Sequence, residues 1–177
     1  LPTATTTVFQ LAIKSNRLLP GTTYTFRCTA YYYNSTTPDA AVTSNTADVS
    51  VVINTAPEGG SIAIAPLFGT AMQTPFSLST SGWIDDIDDY PLSYSFDYYQ
   101  LRESNSFKIK ARGALGSLST FLAAGLESKL YKLNVRARAY DIYGTYDSVY
   151  TVATVSPMTL NDMVNNADDS LSNAFDT

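Results

Sequence analysis

The chain has 177 residues, 45% of them hydrophobic and 15% charged, with a formal net charge of −5. The hydrophobic share excludes wholesale disorder, and the acidic balance lacks the basic footprint of a nucleic-acid binder. His is absent and Cys28 is the only cysteine, which excludes zinc sites built from His and Cys, Ser-His-Asp or Cys-His catalysis, and an intrachain disulfide.

No run of 18 apolar residues is present, so no helix is expected to span a membrane. Ser and Thr together number 41, with 13 Tyr and 8 Phe, while Lys and Arg total 11. Strand formers dominate. The expected class is all-β, built of many short antiparallel strands.

Strands are expected near residues 7–14, 22–33 and 47–54. In the second, Tyr24, Phe26, Cys28, Ala30 and Tyr32 alternate with more polar residues, so one face meets a core and Cys28 reads as a small buried hydrophobe. Leu19-Pro20-Gly21 leads into Tyr24, where a tyrosine can turn a strand corner and bond back to the backbone. Tyr31-Tyr32-Tyr33 must present at least one ring outward. Asn34-Ser35-Thr36 is the single Asn-x-Ser/Thr sequon, and an N-glycan on Asn34 is expected if the chain is secreted.

Asp85, Asp86, Asp88 and Asp89 place four carboxylates in five residues. Three readings stand: an acidic turn bonded to its own amides, a calcium site, or a glycosidase-type pair. The last fits poorly, because such carboxylates face each other across a cleft. Trp83, after Gly82, reads as core. Alternation returns at 92–98, 107–112 and 131–139. Lys108, Lys110 and Arg112 share one phase, as do Lys132, Arg136 and Arg138. These six read as a solvated strand face, or as a contact surface for an acidic partner such as a sulfated glycan or the aspartates of a second copy.

Tyr24-x-Phe26-x-Cys28-x-Ala30 matches Tyr131-x-Leu133-x-Val135-x-Ala137 at an offset of 107, and residues 48–53 match 148–153 at an offset of 100. Tyr131 would then be the structural counterpart of Tyr24. A repeat of about 100 residues is the size of one β-sandwich. Residues 1–55 are expected to be the C-terminal part of an incomplete sandwich, a fragment or one completed from elsewhere. Residues 56–157 are expected to be a complete sandwich. Residues 158–177 carry apolar residues at helical spacing, from Leu160 to Phe175, and read as a short amphipathic helix or a flexible acidic segment.

Several stretches carry a family resemblance: Asn54-x-x-Pro57-x-Gly59-Gly60, Gly82-Trp83-x-Asp85, Tyr90-Pro91-Leu92-x-Tyr94-x-Phe96 and Tyr140-Asp141-x-Tyr143-Gly144. Together they resemble the REJ (receptor for egg jelly) module of polycystin-1-like and related cell-surface proteins. Leu19-Pro20-Gly21-x-x-Tyr24-x-Phe26 is similar to a fibronectin type III tyrosine corner. The resemblance implies tandem fibronectin III- or Ig-like sandwiches in large extracellular proteins, often ciliary or flagellar, with no catalytic residues and no cofactor.

The expected role is therefore a non-enzymatic structural or adhesion module, such as part of a mastigoneme-like filament or a surface coat. Its expected partners are other copies, other extracellular proteins or glycans, with no nucleic acid and no membrane insertion. The alternative is a ligand- or carbohydrate-binding ectodomain of a polycystin-type receptor.

Overall fold

The computed structural model describes residues 8, 10–34, 37–159 and 164, with backbone alone for 33–42. The chain is mostly β and divides into two compact units, Leu1–Thr55 and Ala56–Thr177.

In the first unit, β1 (Thr23–Asn34) and β2 (Thr37–Val52) form a two-stranded antiparallel sheet. Phe26 lies opposite Val49, and Arg27 opposite Asp48. Partners in register share a face, so Tyr24, Phe26 and Cys28 line up with Ala47, Val49 and Val51, while Thr25 and Arg27 line up with Ser50 and Asp48. The polar face is held by two Arg27–Asp48 hydrogen bonds of 2.8 Å and a Thr25–Ser50 contact of 2.8 Å. The Arg27 guanidinium holds the Asp48 carboxyl below its ordinary range. The Tyr24 hydroxyl accepts a hydrogen bond from the Leu19 amide at 3.0 Å.

Three expectations for this unit need correction. Residues 10–14 form no strand. The expected loop before residue 47 is strand, because the Thr- and Ser-rich segment continues the ladder, with Tyr32 opposite Thr43 and Tyr31 opposite Ser44. Cys28 is exposed rather than buried, since the apolar face it shares stays open enough to leave Val49 and Val51 exposed as well.

In the second unit, β3 (Ser61–Ala65), β5 (Pro75–Ser81) and β8 (Ser117–Phe121) form an antiparallel sheet in the order β3-β5-β8. The other sheet contains β4 (Phe68–Thr70), β6 (Ser93–Tyr99), β7 (Phe107–Gly113), β9 (Lys132–Tyr140) and β10 (Tyr146–Ser156). Its order is β4-β10-β9-β6-β7, antiparallel except for the β4–β10 pair.

Alternation decides which residues enter the core. Phe76 and Leu78 of β5 are buried, while Pro75, Ser77 and Ser79 between and beside them are exposed. Leu133, Val135 and Ala137 of β9 face inward with Phe96 of β6 and Ala153 and Val155 of β10. Both sheets thus contribute to one apolar cluster, completed by Ile64, Ala71 and Leu122. Fully burying each large member contributes roughly 1.5–3 kcal/mol. Trp83, Leu92 and Ala139 form a smaller buried group.

The sequence repeat corresponds to two hairpins, β1–β2 and β9–β10. Their pairing differs from the sequence alignment: Leu133, the counterpart of Phe26, faces Ala153, not Val149. The hydrophobic pattern has the same period in both strands, so a shift of four residues preserves the inward face and is invisible to alternation. The expected C-terminal helix lies outside the described residues apart from Val164.

Before β9 the chain makes a tight turn. Leu130 and Tyr131 both have left-handed backbones, with φ of 54° and 58°. The Gly125 amide donates to the Val155 carbonyl at 2.9 Å, and the Val155 amide donates to the Tyr131 carbonyl at 2.9 Å. A Cβ on Gly125 would lie 2.2 Å from the Tyr131 carbonyl oxygen. Gly125→Ala should therefore cost about 1–3 kcal/mol by overpacking, read as a lowered urea midpoint. An unchanged midpoint would mean that this turn yields freely.

Candidate functional site

The turn after β5 is pinned at both ends. Glu58 and Ile84 exchange backbone hydrogen bonds of 2.8 and 2.9 Å, and the Asp85 amide donates to the Tyr90 hydroxyl at 3.1 Å. A 3-10 turn, Ile87–Asp89, follows. The Asp89 carbonyl then accepts the Ile142 amide at 3.2 Å, joining this segment to the turn between β9 and β10. The result is a cluster of three carboxylates, Asp85, Asp89 and Asp141, whose nearest oxygens all lie within 4.8 Å of one another.

Asp89 and Asp141 are buried. Burial, reinforced by neighbouring carboxylates, pushes the Asp89 and Asp85 carboxyls above their ordinary range. Oxygen-only donors at this spacing suit a hard cation. Asp86 and Asp88 are exposed and do not join the group, because neighbouring residues of the turn point in different directions. The expected four-aspartate constellation is thus corrected to two of its members plus Asp141, a residue 52 positions beyond Asp89.

The expected outward basic face is also corrected. Arg136 is only 2% exposed. It donates to both Asp97 carboxylate oxygens at 2.9 Å and pairs with Glu103. Arg138 donates to Asp97 at 2.9 Å. Asp97 and Arg136 are directly opposite in the β6–β9 ladder, and Glu103 and Ser106, from the segment that follows β6, reach Arg136 from beyond the sheet. That is why an out-facing arginine is buried.

Arg112 donates to the Ser93 hydroxyl and to the Asp141 backbone carbonyl, both at 2.6 Å. The half-buried Lys110 ammonium donates to the Tyr94 and Leu115 carbonyls, and burial lowers its pKa. Lys108 and Lys132 are the members of the six that stand exposed without a hydrogen bond or ion pair among the described residues. The basic stripe is largely an internal bonding device.

The REJ domain family matches residues 2–177, across both units. The chain belongs to the REJ domain family. A comparison with curated proteins finds no match. REJ domains are typically extracellular, and among the described residues no helix is long and apolar enough to cross a membrane.

Several REJ-like residues have a visible physical task in this chain. Trp83 is buried, and its indole N–H donates to the Thr80 hydroxyl at 2.7 Å. A Cβ on Gly60 would lie 2.1 Å from the indole ring, so glycine lets the ring pack directly on the backbone. Gly144, at φ 90°, closes the β9–β10 turn that carries Asp141. Tyr131 is half-buried and precedes β9, in its left-handed backbone conformation. Asn34 ends β1, while Ser35 and Thr36 of the sequon lie outside the described residues.

Asp141 of the carboxylate cluster and Asp97 of the buried ion pair are the residues to which sequence reasoning assigned no role. The polar Asp97 within the alternating 92–98 stretch was the available signal for a buried partner to Arg136.

Removing Asp97 leaves Arg136 and Arg138 without their shared carboxylate. Asp97→Ala should cost about 3–5 kcal/mol in chemical denaturation, whereas Asp48→Ala on the exposed hairpin should leave the midpoint unchanged. Equal effects would refute the distinction between the two ion pairs.

Proposed function

We propose that this REJ chain is a non-catalytic, extracellular structural or adhesion module of a larger protein, within a ciliary or flagellar appendage (a mastigoneme-like filament) or a surface coat. The observation that carries this reading is the REJ match over nearly the whole chain. The absence of His and the engagement of Asp97, Arg136 and Arg138 in one another favour a scaffold over an enzyme.

The three-stranded and five-stranded sheets that share one core support a fibronectin III-like sandwich for residues 56–157. Such a module acts geometrically: a rigid body of about 100 residues spaces and orients the surfaces at its two ends. Partners are other copies or other extracellular proteins. An N-glycan on Asn34 and exposed tyrosines are the contact groups, rather than a basic patch.

A second reading is a ligand- or carbohydrate-binding ectodomain of a polycystin-type receptor. It is favoured by the exposed rings of Tyr31, Tyr32, Tyr143 and Tyr150, since exposed tyrosines are common interface anchors.

Immunogold electron microscopy of the native material with an antibody to this chain separates the two. The structural reading predicts label on fibres or a coat with a regular repeat. Label confined to discrete membrane particles would overturn it in favour of the receptor.

A further inference from the structure

We propose that Asp85, Asp89 and Asp141 bind one calcium ion, which clamps the 85–89 turn to the turn between β9 and β10. The inference is independent of whether the module serves a filament or a receptor.

Three features point to a ligand rather than to a solvated acidic turn. The first is convergence: carboxylates from two segments far apart in sequence bring their oxygens within 4.8 Å of one another. Like charges at that distance repel, and more so away from water.

The second is an unmet bonding capacity. Asp89 is only 6% exposed, and among the described residues its carboxylate has no hydrogen bond and no ion pair. On Asp85, Oδ1 accepts the Asp86 amide at 3.0 Å, but Oδ2 is buried with no partner. A buried carboxylate oxygen such as Asp85 Oδ2 is normally satisfied.

The third is orientation. Asp141 Oδ1 accepts the Thr145 amide at 2.9 Å, and the Ile142 amide holds the Asp89 carbonyl. The three groups are therefore held in place by backbone contacts.

The donor chemistry selects the ion. All three donors are carboxylate oxygens, which suits calcium over zinc or copper. Calcium accepts mono- and bidentate carboxylates with water completing six to eight ligands, whereas magnesium demands tighter octahedral geometry. Extracellular calcium modules bind on the order of 10⁻⁴–10⁻³ M.

The test is calorimetric titration of the full chain with calcium chloride after chelator treatment, paired with thermal melts. One site of that affinity is expected, with a melting rise of about 4 °C at tenfold saturation and a much smaller response to magnesium. D89N should abolish both signals, while D86N and D88N should retain them. In metal-free buffer D89N should melt at or above the wild type, because it relieves repulsion. No heat and no melting shift up to about 10 mM calcium, well above that affinity range, would overturn the proposal. So would equal loss in D86N or D88N, or a D89N chain that fails to fold without metal.

Discussion

Phe76 and Leu78 from one sheet share a core with Phe96, Val135 and Val155 from the other, and the rest of the second unit depends on that contact. A strand has only two faces. Once the apolar positions of β5 and β9 are committed inward, every intervening residue is directed outward. The alternation therefore sets the exposed serines of β5 and the row of Asn134, Arg136 and Arg138 on β9 in a single step. It also fixes where the turns emerge. Asp141 leaves the end of β9 directly beside the 85–89 turn, so the acidic cluster is a consequence of how the strands terminate.

The outward face of the five-stranded sheet then has a problem of its own. Arg136 lies beneath the segment that carries Glu103 and Ser106, and an unpaired guanidinium there would be costly. Asp97, directly across the ladder, resolves it with a two-bond pair and accepts Arg138 as well. A slip of one residue between β6 and β9 would turn Phe96 outward and separate this pair at the same time. Core packing and ion pairing thus select the same register. In the first hairpin the equivalent Arg27–Asp48 pair is exposed, so solvent weakens it and it specifies much less.

Much of this was legible in the sequence. The period-2 runs at 24–32, 92–98 and 131–139 mark real strands, and Trp83 is buried. The failures share a cause: each required knowing what covers a face. Alternation assigned Arg136 to the outside correctly but could not show that the segment after β6 bonds to it there. It assigned Cys28 to an apolar face but could not show that the face is open. The acidic run at 85–89 announced itself, yet the partner that makes it a cluster, Asp141, is a single aspartate in a distant turn, and only the fold brings them together. The repeat at offsets of 107 and 100 marked two hairpins but not their registers, which differ by four residues, because a shift by an even number leaves the inward pattern unchanged.

The central claim is that residues 56–159 carry a self-sufficient core, whereas the β1–β2 hairpin has none of its own among the described residues. Isolated two-stranded sheets are marginal in water. Native-state hydrogen exchange on the intact monomeric chain tests this most directly. The account predicts the slowest exchange in β5, β6 and β9, at the level of global unfolding, and faster exchange by local opening throughout β1 and β2. Protection of the hairpin amides equal to that of β6 and β9 would contradict it.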